Sequence, residues 1–221
     1  IAEGTWIASL ASADIALTAA NALLSGETAA YALCRPPGHH AFSDLAGGFC
    51  YLNNIAIAAN HLTQRWPQLA ILDIDVHHGN GTQSIFYERN DVLFVSLHGD
   101  PSDYFPFFAG YGNETGSGLG ADKNLNLPLP KGTGDTEFLA ALEVALNKIK
   151  DHQPGALLVS LGFDGFEKDP IGCLNITTAC FGEIARRVSE LGLPTLLVQE
   201  GGYDVPSLQS NLSSFLDGFN N

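Results

Sequence analysis

Residues 70–81 read Ala70-Ile71-Leu72-Asp73-Ile74-Asp75-Val76-His77-His78-Gly79-Asn80-Gly81. Ala70–Val76 has the short apolar pattern of a buried strand with two aspartates near its end, and Gly79–Arg89 begins with glycines and then turns helical. A strand that runs into acids, imidazoles and glycines before a helix places its chemistry at the carboxyl end of a parallel sheet. The alternation extends in both directions. Upstream, Thr5–Leu24 is apolar at helical spacing and stops at Ser25-Gly26, Ala29–Leu33 is a short strand, Cys34–Gly48 is a loop rich in Pro, Gly and His, and Tyr51–Gln64 is helical. Downstream, Val92–Leu97 is a strand, Gly99–Asp122 a loop long enough to suggest function, and Asn124–Leu129 a short strand. Asp135–Lys150 is then a helix capped by Asp135, Ala156–Leu161 a strand, Thr177–Leu191 a helix, Pro194–Gln199 a strand and Val205–Phe219 a last helix.

Short apolar strands alternating with helices predict an α/β fold, a single-domain, predominantly parallel sheet with helices on both faces. The length of 221 residues suits one domain, 1–221, able to bury a core without disulfides. Hydrophobic content of 45% against 15% charged excludes a disordered acidic tail. Ten Lys and Arg against 24 Asp and Glu, a net charge of −14, argue against nucleic-acid and anionic-membrane partners and favour a cationic ligand by steering. Ile1–Leu24 lacks a basic start and is broken by Glu3, Asp14 and Asn21, so it does not read as a signal peptide, and no run is expected to reach the ~20 apolar residues of a membrane span. Cys34, Cys50, Cys173 and Cys180 form no CxxC pair and read as small buried residues of a reduced, cytoplasmic protein. Four Asn-x-Ser/Thr sequons (Asn80, Asn113, Asn175 and Asn211) carry no weight without a secretory signal. The chain starts Ile1-Ala2-Glu3 and has no methionine, which reads as a processed product or a fragment.

The residues just beyond the strands carry the chemistry. Arg35-Pro36-Pro37-Gly38-His39-His40 comes after the first, Gly162-Phe163-Asp164 after Leu161, and Glu200-Gly201-Gly202-Tyr203 after Gln199. Residues two apart in a strand point the same way, so Asp73, Asp75 and His77 are expected to converge. A carboxylate and an imidazole there, with Asp164 from another strand, make a three-ligand set for zinc with a fourth position open to water. A lone strand-end aspartate usually caps a loop, and a lone histidine is usually a satisfied core residue. Several carboxylates among apolar flanks are costly without a cation, so the constellation favours a metal. His39 and His40 can serve as acid and base beside a metal-activated water, with Asp73 and Asn80 available to fix their tautomers. Tyr203, brought close by two glycines, can donate to a developing oxyanion.

These motifs, in this order, resemble the zinc-dependent histone deacetylase family of the arginase/deacetylase superfamily. The resemblance runs through RPPGHHA (Arg35–Ala41), GGFCYLNN (Gly47–Asn54), DIDVHHGNGTQ (Asp73–Gln83), SLHGDP (Ser96–Pro101), LGFD and EGGY. SLHGDP, LPLPKGTGD (Leu127–Asp135) and the C-terminal VQEGGYDVPSLQSNLSSFLDGF look most like bacterial acetylpolyamine amidohydrolases. The resemblance implies the arginase/deacetylase fold with its N-terminal part missing. It implies one Zn2+ per chain on Asp75, His77 and Asp164, with His40 as general base and His39, paired with Asp73, as electrostatic partner and proton source. It implies Tyr203 as acyl-oxygen donor, and Phe49 and Phe105 as channel walls. It further implies a structural K+ or Na+ on Asp73, Asp75, His77, Ser96 and Leu97. Asn80 stands where some relatives have aspartate, and Gly165 where they often have a larger polar residue, so that wall is expected to be open.

The expected function is zinc-dependent hydrolysis of acetyl groups from amines, acetylpolyamines foremost, with a homodimer as the assembly the family suggests. Three alternatives stand beside it. One is a protein acetyl-lysine deacetylase, one a catalytically silent binding module and one an arginase-like dimanganese site. Intact His39, His40 and Tyr203 argue against the last two.

Overall fold

The computed structural model describes all 221 residues. It is built on one six-stranded parallel sheet in the order β1-β6-β5-β2-β3-β4. The strands are β1 (Ala29–Ala32), β2 (Leu69–Asp73), β3 (Val92–Gly99), β4 (Asn124–Leu129), β5 (Ala156–Leu161) and β6 (Thr195–Gln199). Every residue of β2, β3 and β5 is buried, which is why these strands read as unbroken apolar runs rather than alternating ones.

Helices cover both faces. Helices α1 (Thr5–Leu24), α2 (Asn54–Leu62) and α3 (Asn80–Phe86) pack on one side through Ala16, Ala20, Leu23, Ile55, Ala59 and Phe86. Helices α4 (Asp135–His152), α5 (Thr178–Ser189) and α6 (Val205–Asn220) pack on the other, where Phe138, Leu142, Phe181, Ile184 and Phe215 meet Val95, Val159 and Leu197 of the sheet. Two tryptophans lie at or near the first face: Trp6 is exposed on α1, and Trp66, after α2, sits against Gly155 with the Arg65 guanidinium 4.8 Å over its ring.

From β2 the chain moves to β3 and β4 on one side, then returns to β5 and β6 on the other. The reversal lies between β2 and β5, and a crevice opens there at the carboxyl edge. Register keeps that edge level, with Asp73 opposite both Ser96 and Ser160.

Three expectations change. Helix α1 is 20 residues long and, with mean hydropathy 1.5, is long and apolar enough to cross a membrane. Here it packs on the sheet face through Ala13, Ala16, Ala20 and Leu23. Helix α4 is capped by Gly134, without a side-chain cap bond. The Asp135 carboxylate instead accepts from the Thr177 amide (2.9 Å) and hydroxyl (2.7 Å), tying α4 to the start of α5. Strand β2 ends at Asp73 rather than Val76. Asp75 and His77 therefore lie in irregular chain beyond it, and strand alternation does not align them.

Candidate active site

Backbone amides hold the carboxylates after β2 and β5. Asp73 Oδ1 accepts from the Asp75 amide (3.1 Å), and Asp75 Oδ1 from the His77 amide (2.9 Å). Asp75 Oδ2 accepts from Gly201 N–H (2.8 Å), and Asp164 Oδ1 from Val76 N–H (2.9 Å). These acids do cap their loops, and Asp75 and Asp164 also keep an oxygen near His77 Nδ1. A Cβ at Gly201 would stand 2.6 Å from Asp75 Oδ2 and would also strike Asp164 Oδ2, so only glycine lets this backbone donate so close.

The set that converges is Asp75, His77 and Asp164, whose ligand atoms lie within 4.8 Å of one another. Asp73 turns away to His39, which corrects the expected convergence of Asp73 with Asp75 and His77. His77 Nδ1 is 3.1 Å from Asp75 Oδ1 and 3.0 Å from Asp164 Oδ2. Tetrahedral zinc with bonds near 2 Å separates its donors by about 3.3 Å, so this N,O,O set fits the ion with little rearrangement. Burial opposes a charged His77, but its bonds to Asp164 and Asp75 outweigh that and hold the ring at about 10. Burial and the neighbouring Asp75 charge push Asp164 upward. Two carboxylates in an almost solvent-free site thus need a positive charge between them, which a proton on His77 or a divalent ion there supplies.

The adjacent histidines have opposite environments. His39 Nδ1 is 3.0 Å from Asp73 Oδ2, and Glu200 Oε2 accepts from the Gly38 and His39 amides at 2.7 and 3.1 Å. Burial alone would lower His39, but Asp73, Asp75 and Glu200 hold it well above the ordinary range. His40 is lowered well below it by burial and by the charge of His39. His40 Nδ1 lies 2.7 Å from Asn80 Oδ1. An amide oxygen only accepts, so Nδ1 carries the hydrogen and Nε2 is left as a base.

His40, His77, Gly48, Phe49, Phe105, Ile171 and Tyr203 line a pocket of about 160 Å³. Gly48 lies flat on the His40 ring, where any Cβ would collide, and Phe49 is held at φ 65° in the left-handed region. Burial and the charges of Asp75 and Asp164 push the Tyr203 phenol upward, so it stays a donor. Ser96 and Leu97 are buried beside Asp73, and Ser96 Oγ is 2.8 Å from His98 Nδ1.

Four residues went unrecognised in the sequence. Ile171 lines the pocket, whereas Gly165 does not. Gly165 itself faces the core, where a Cβ would meet Ile176 and Leu174. Tyr104 stacks on His77 at 4.9 Å and bonds to the Ile171 carbonyl. Glu200 sits within EGGY with no signal of its own, and Asp169 belongs to none of the motifs. A carboxylate that binds amides far along the chain leaves no local signal.

Comparison with known proteins settles the family. A family profile for the histone deacetylase domain matches residues 1–219. The chain belongs to the histone deacetylase domain family. Within that family it is 50% identical over 219 residues to the acetylpolyamine amidohydrolase of Burkholderia pseudomallei, and 47% identical over 219 residues to that of Mycoplana ramosa. Each match covers 99% of this chain and 64% of the relative, so the chain spans just under two thirds of these curated relatives. The crystal structure of the Burkholderia pseudomallei acetylpolyamine aminohydrolase superposes with a TM-score of 0.99 over all of this chain and 64% of that one.

Proposed function

We propose that the chain is the catalytic domain of a zinc-dependent amidohydrolase that removes acetyl groups from small cationic amines, acetylpolyamines foremost. One observation carries the reading: Asp75, His77 and Asp164 converge in a three-donor set whose His77 lines the same pocket as His40, the imidazole left with a free Nε2. The names of the relatives and the net charge of −14 support the substrate class. Four free, buried cysteines support a reducing, cytoplasmic setting.

Asp75, His77 and Asp164 would hold a zinc ion, which would supply Lewis acidity toward an acyl oxygen and a water. His40 Nε2 takes the proton from the attacking water, and the Asn80 bond keeps the ring in the required tautomer. The Tyr203 hydroxyl donates to the acyl oxygen as negative charge develops there. His39, kept protonated by Asp73, Asp75 and Glu200, holds positive charge beside the site and is the proton source for the departing amine. Phe49, Phe105 and Ile171 enclose the alkyl stem of the substrate. A structural K+ or Na+ would be held by the Asp73 carboxylate, the Ser96 hydroxyl and the backbone carbonyls of Asp75, His77 and Leu97.

Acetate release from acetylputrescine, acetylspermidine and an acetyl-lysine peptide tests it, with zinc content measured on the same sample. Higher kcat/KM for the acetylpolyamines is the expected result. A preference for the peptide overturns the substrate class, and release from none of the three by zinc-loaded protein overturns the activity.

A further inference from the structure

Asp169 lies five residues after Asp164, in the irregular segment between β5 and α5. Its Oδ2 accepts from two successive amides, Tyr203 N–H at 2.6 Å and Asp204 N–H at 3.1 Å. Its Oδ1 accepts from the Ile171 amide at 3.0 Å. One carboxylate thus fastens the backbone of the phenol donor to the backbone of a pocket wall. Helix α6 begins at Val205, and its N-cap Asp204 makes no side-chain cap bond. Asp169 supplies that end with negative charge from another segment, where the helix favours an anion. Neither the Tyr203 nor the Asp204 amide has another acceptor, although Gly201 just before them is itself fixed by Asp75 and Phe163. Gly201 and Gly202 precede Tyr203, Gly202 sits at φ 142°, and the Tyr203 hydroxyl has no hydrogen-bond partner of its own in the protein.

We propose that Asp169 is the positioning residue for Tyr203: by fixing the Tyr203 and Asp204 amides it sets where the phenol points. An oxyanion donor works only when placed before charge develops, and donor–acceptor distances must fall in a window of a few tenths of an ångström. The inference rests on the reading of Tyr203 as acyl-oxygen donor, and its test separates the two.

The test compares Asp169→Ala, Asp169→Asn, Tyr203→Phe and the Asp169→Ala/Tyr203→Phe double variant of the full chain, loaded with zinc, on acetylputrescine. Asp169→Ala is expected to lower kcat about tenfold or more, within the ~10²–10³-fold that loss of an oxyanion donor costs. KM and zinc content should hold. Asp169→Asn keeps an acceptor oxygen and should restore most of kcat. The double variant should be no slower than Tyr203→Phe alone, because a displaced phenol and a missing one are the same loss. Independently of turnover, amide hydrogen exchange at Tyr203 and Asp204 should quicken in Asp169→Ala and stay slow in Asp169→Asn. Multiplying effects in the double variant, or wild-type kcat in Asp169→Ala, would overturn the proposal. Wild-type kcat in Tyr203→Phe would overturn the donor reading instead. If Asp169→Ala does not fold, Asp169→Glu takes its place, since its longer stem moves the acceptor and predicts the same non-additivity.

Discussion

The floor and the rim of the pocket are built by different means. At the floor, Asp75 and Asp164, behind His77, are almost wholly removed from solvent, and each has an oxygen bound to a backbone amide of the same edge. At the rim, Phe49 is 66% exposed, Ile171 40% and Phe105 36%, and the two rings sit 6.2 Å from Tyr203 and 5.1 Å from His40 between centroids. Ionised groups in a dry site must be fully partnered or they cost more than they return, so the floor has essentially one geometry. Apolar side chains at a solvent boundary gain only from area covered, so the rim can vary at little cost. Floor changes should therefore register in metal content, kcat and pH dependence, and rim changes in KM.

The largest effect is expected from Asp164→Ala. It removes a donor and leaves Asp75 and His77 with an incomplete set, so zinc content by elemental analysis and turnover should fall together. Full zinc occupancy would remove Asp164 from the ligand set. Next, Tyr203→Phe should lower kcat ~10²–10³-fold with zinc retained, a split between chemistry and metal visible by assaying both on one preparation. Third is Glu200, which burial raises to about 7 against the pull of His39 and the Gly38 amide. Its folded value lies above its unfolded one, so the stability it contributes is present below about pH 4.5 and is lost as pH rises toward 7. Glu200→Gln should therefore stabilise the metal-free chain more at pH 8 than at pH 4, measured by urea unfolding.

A smaller shift is expected from Asn80→Asp. A carboxylate behind His40 raises that ring, so the acidic limb of the kcat/KM profile should move up by about one pH unit. An unmoved limb would mean that His40 is not the base. The mildest is Phe105→Ala at the rim. KM should rise several-fold, up to about tenfold, the equivalent of ~1.4 kcal/mol, with kcat and zinc unchanged. A collapse of kcat would show that the rim is as constrained as the floor.

The same contrast explains what could be read from the sequence. The cluster of Asp75, His77 and Asp164, the paired histidines and Tyr203 were legible because each belongs to a short motif just after a strand, and short strand-like runs marked all six strands of the sheet. The features that resisted reading depend on partners distant in the chain. Asp135 resembles a local cap until Thr177 arrives across the fold. Asp75 and His77 have the spacing of strand alternation, whereas amide bonds to their own neighbours and to Gly201 orient them. Gly165 resembles a gap in the wall, yet the chain turns so that Ile171 faces the pocket and position 165 faces Leu174 and Ile176. Helix α1 passes as a membrane span in composition because its inward side is built of alanine and its outward side keeps Trp6, Ile7 and Leu10 exposed.

The placement of the two tryptophans has a spectroscopic consequence. Trp6 and Trp66 lie with α1 and α2, and neither lines the pocket of His40, His77 and Tyr203. Intrinsic emission excited at the indole band will therefore track the melting of one side of the sheet and stay nearly silent when substrate enters on the carboxyl edge. A single indole introduced at Phe105 would give that edge its own optical signal, resolved from the unfolding background without an added dye.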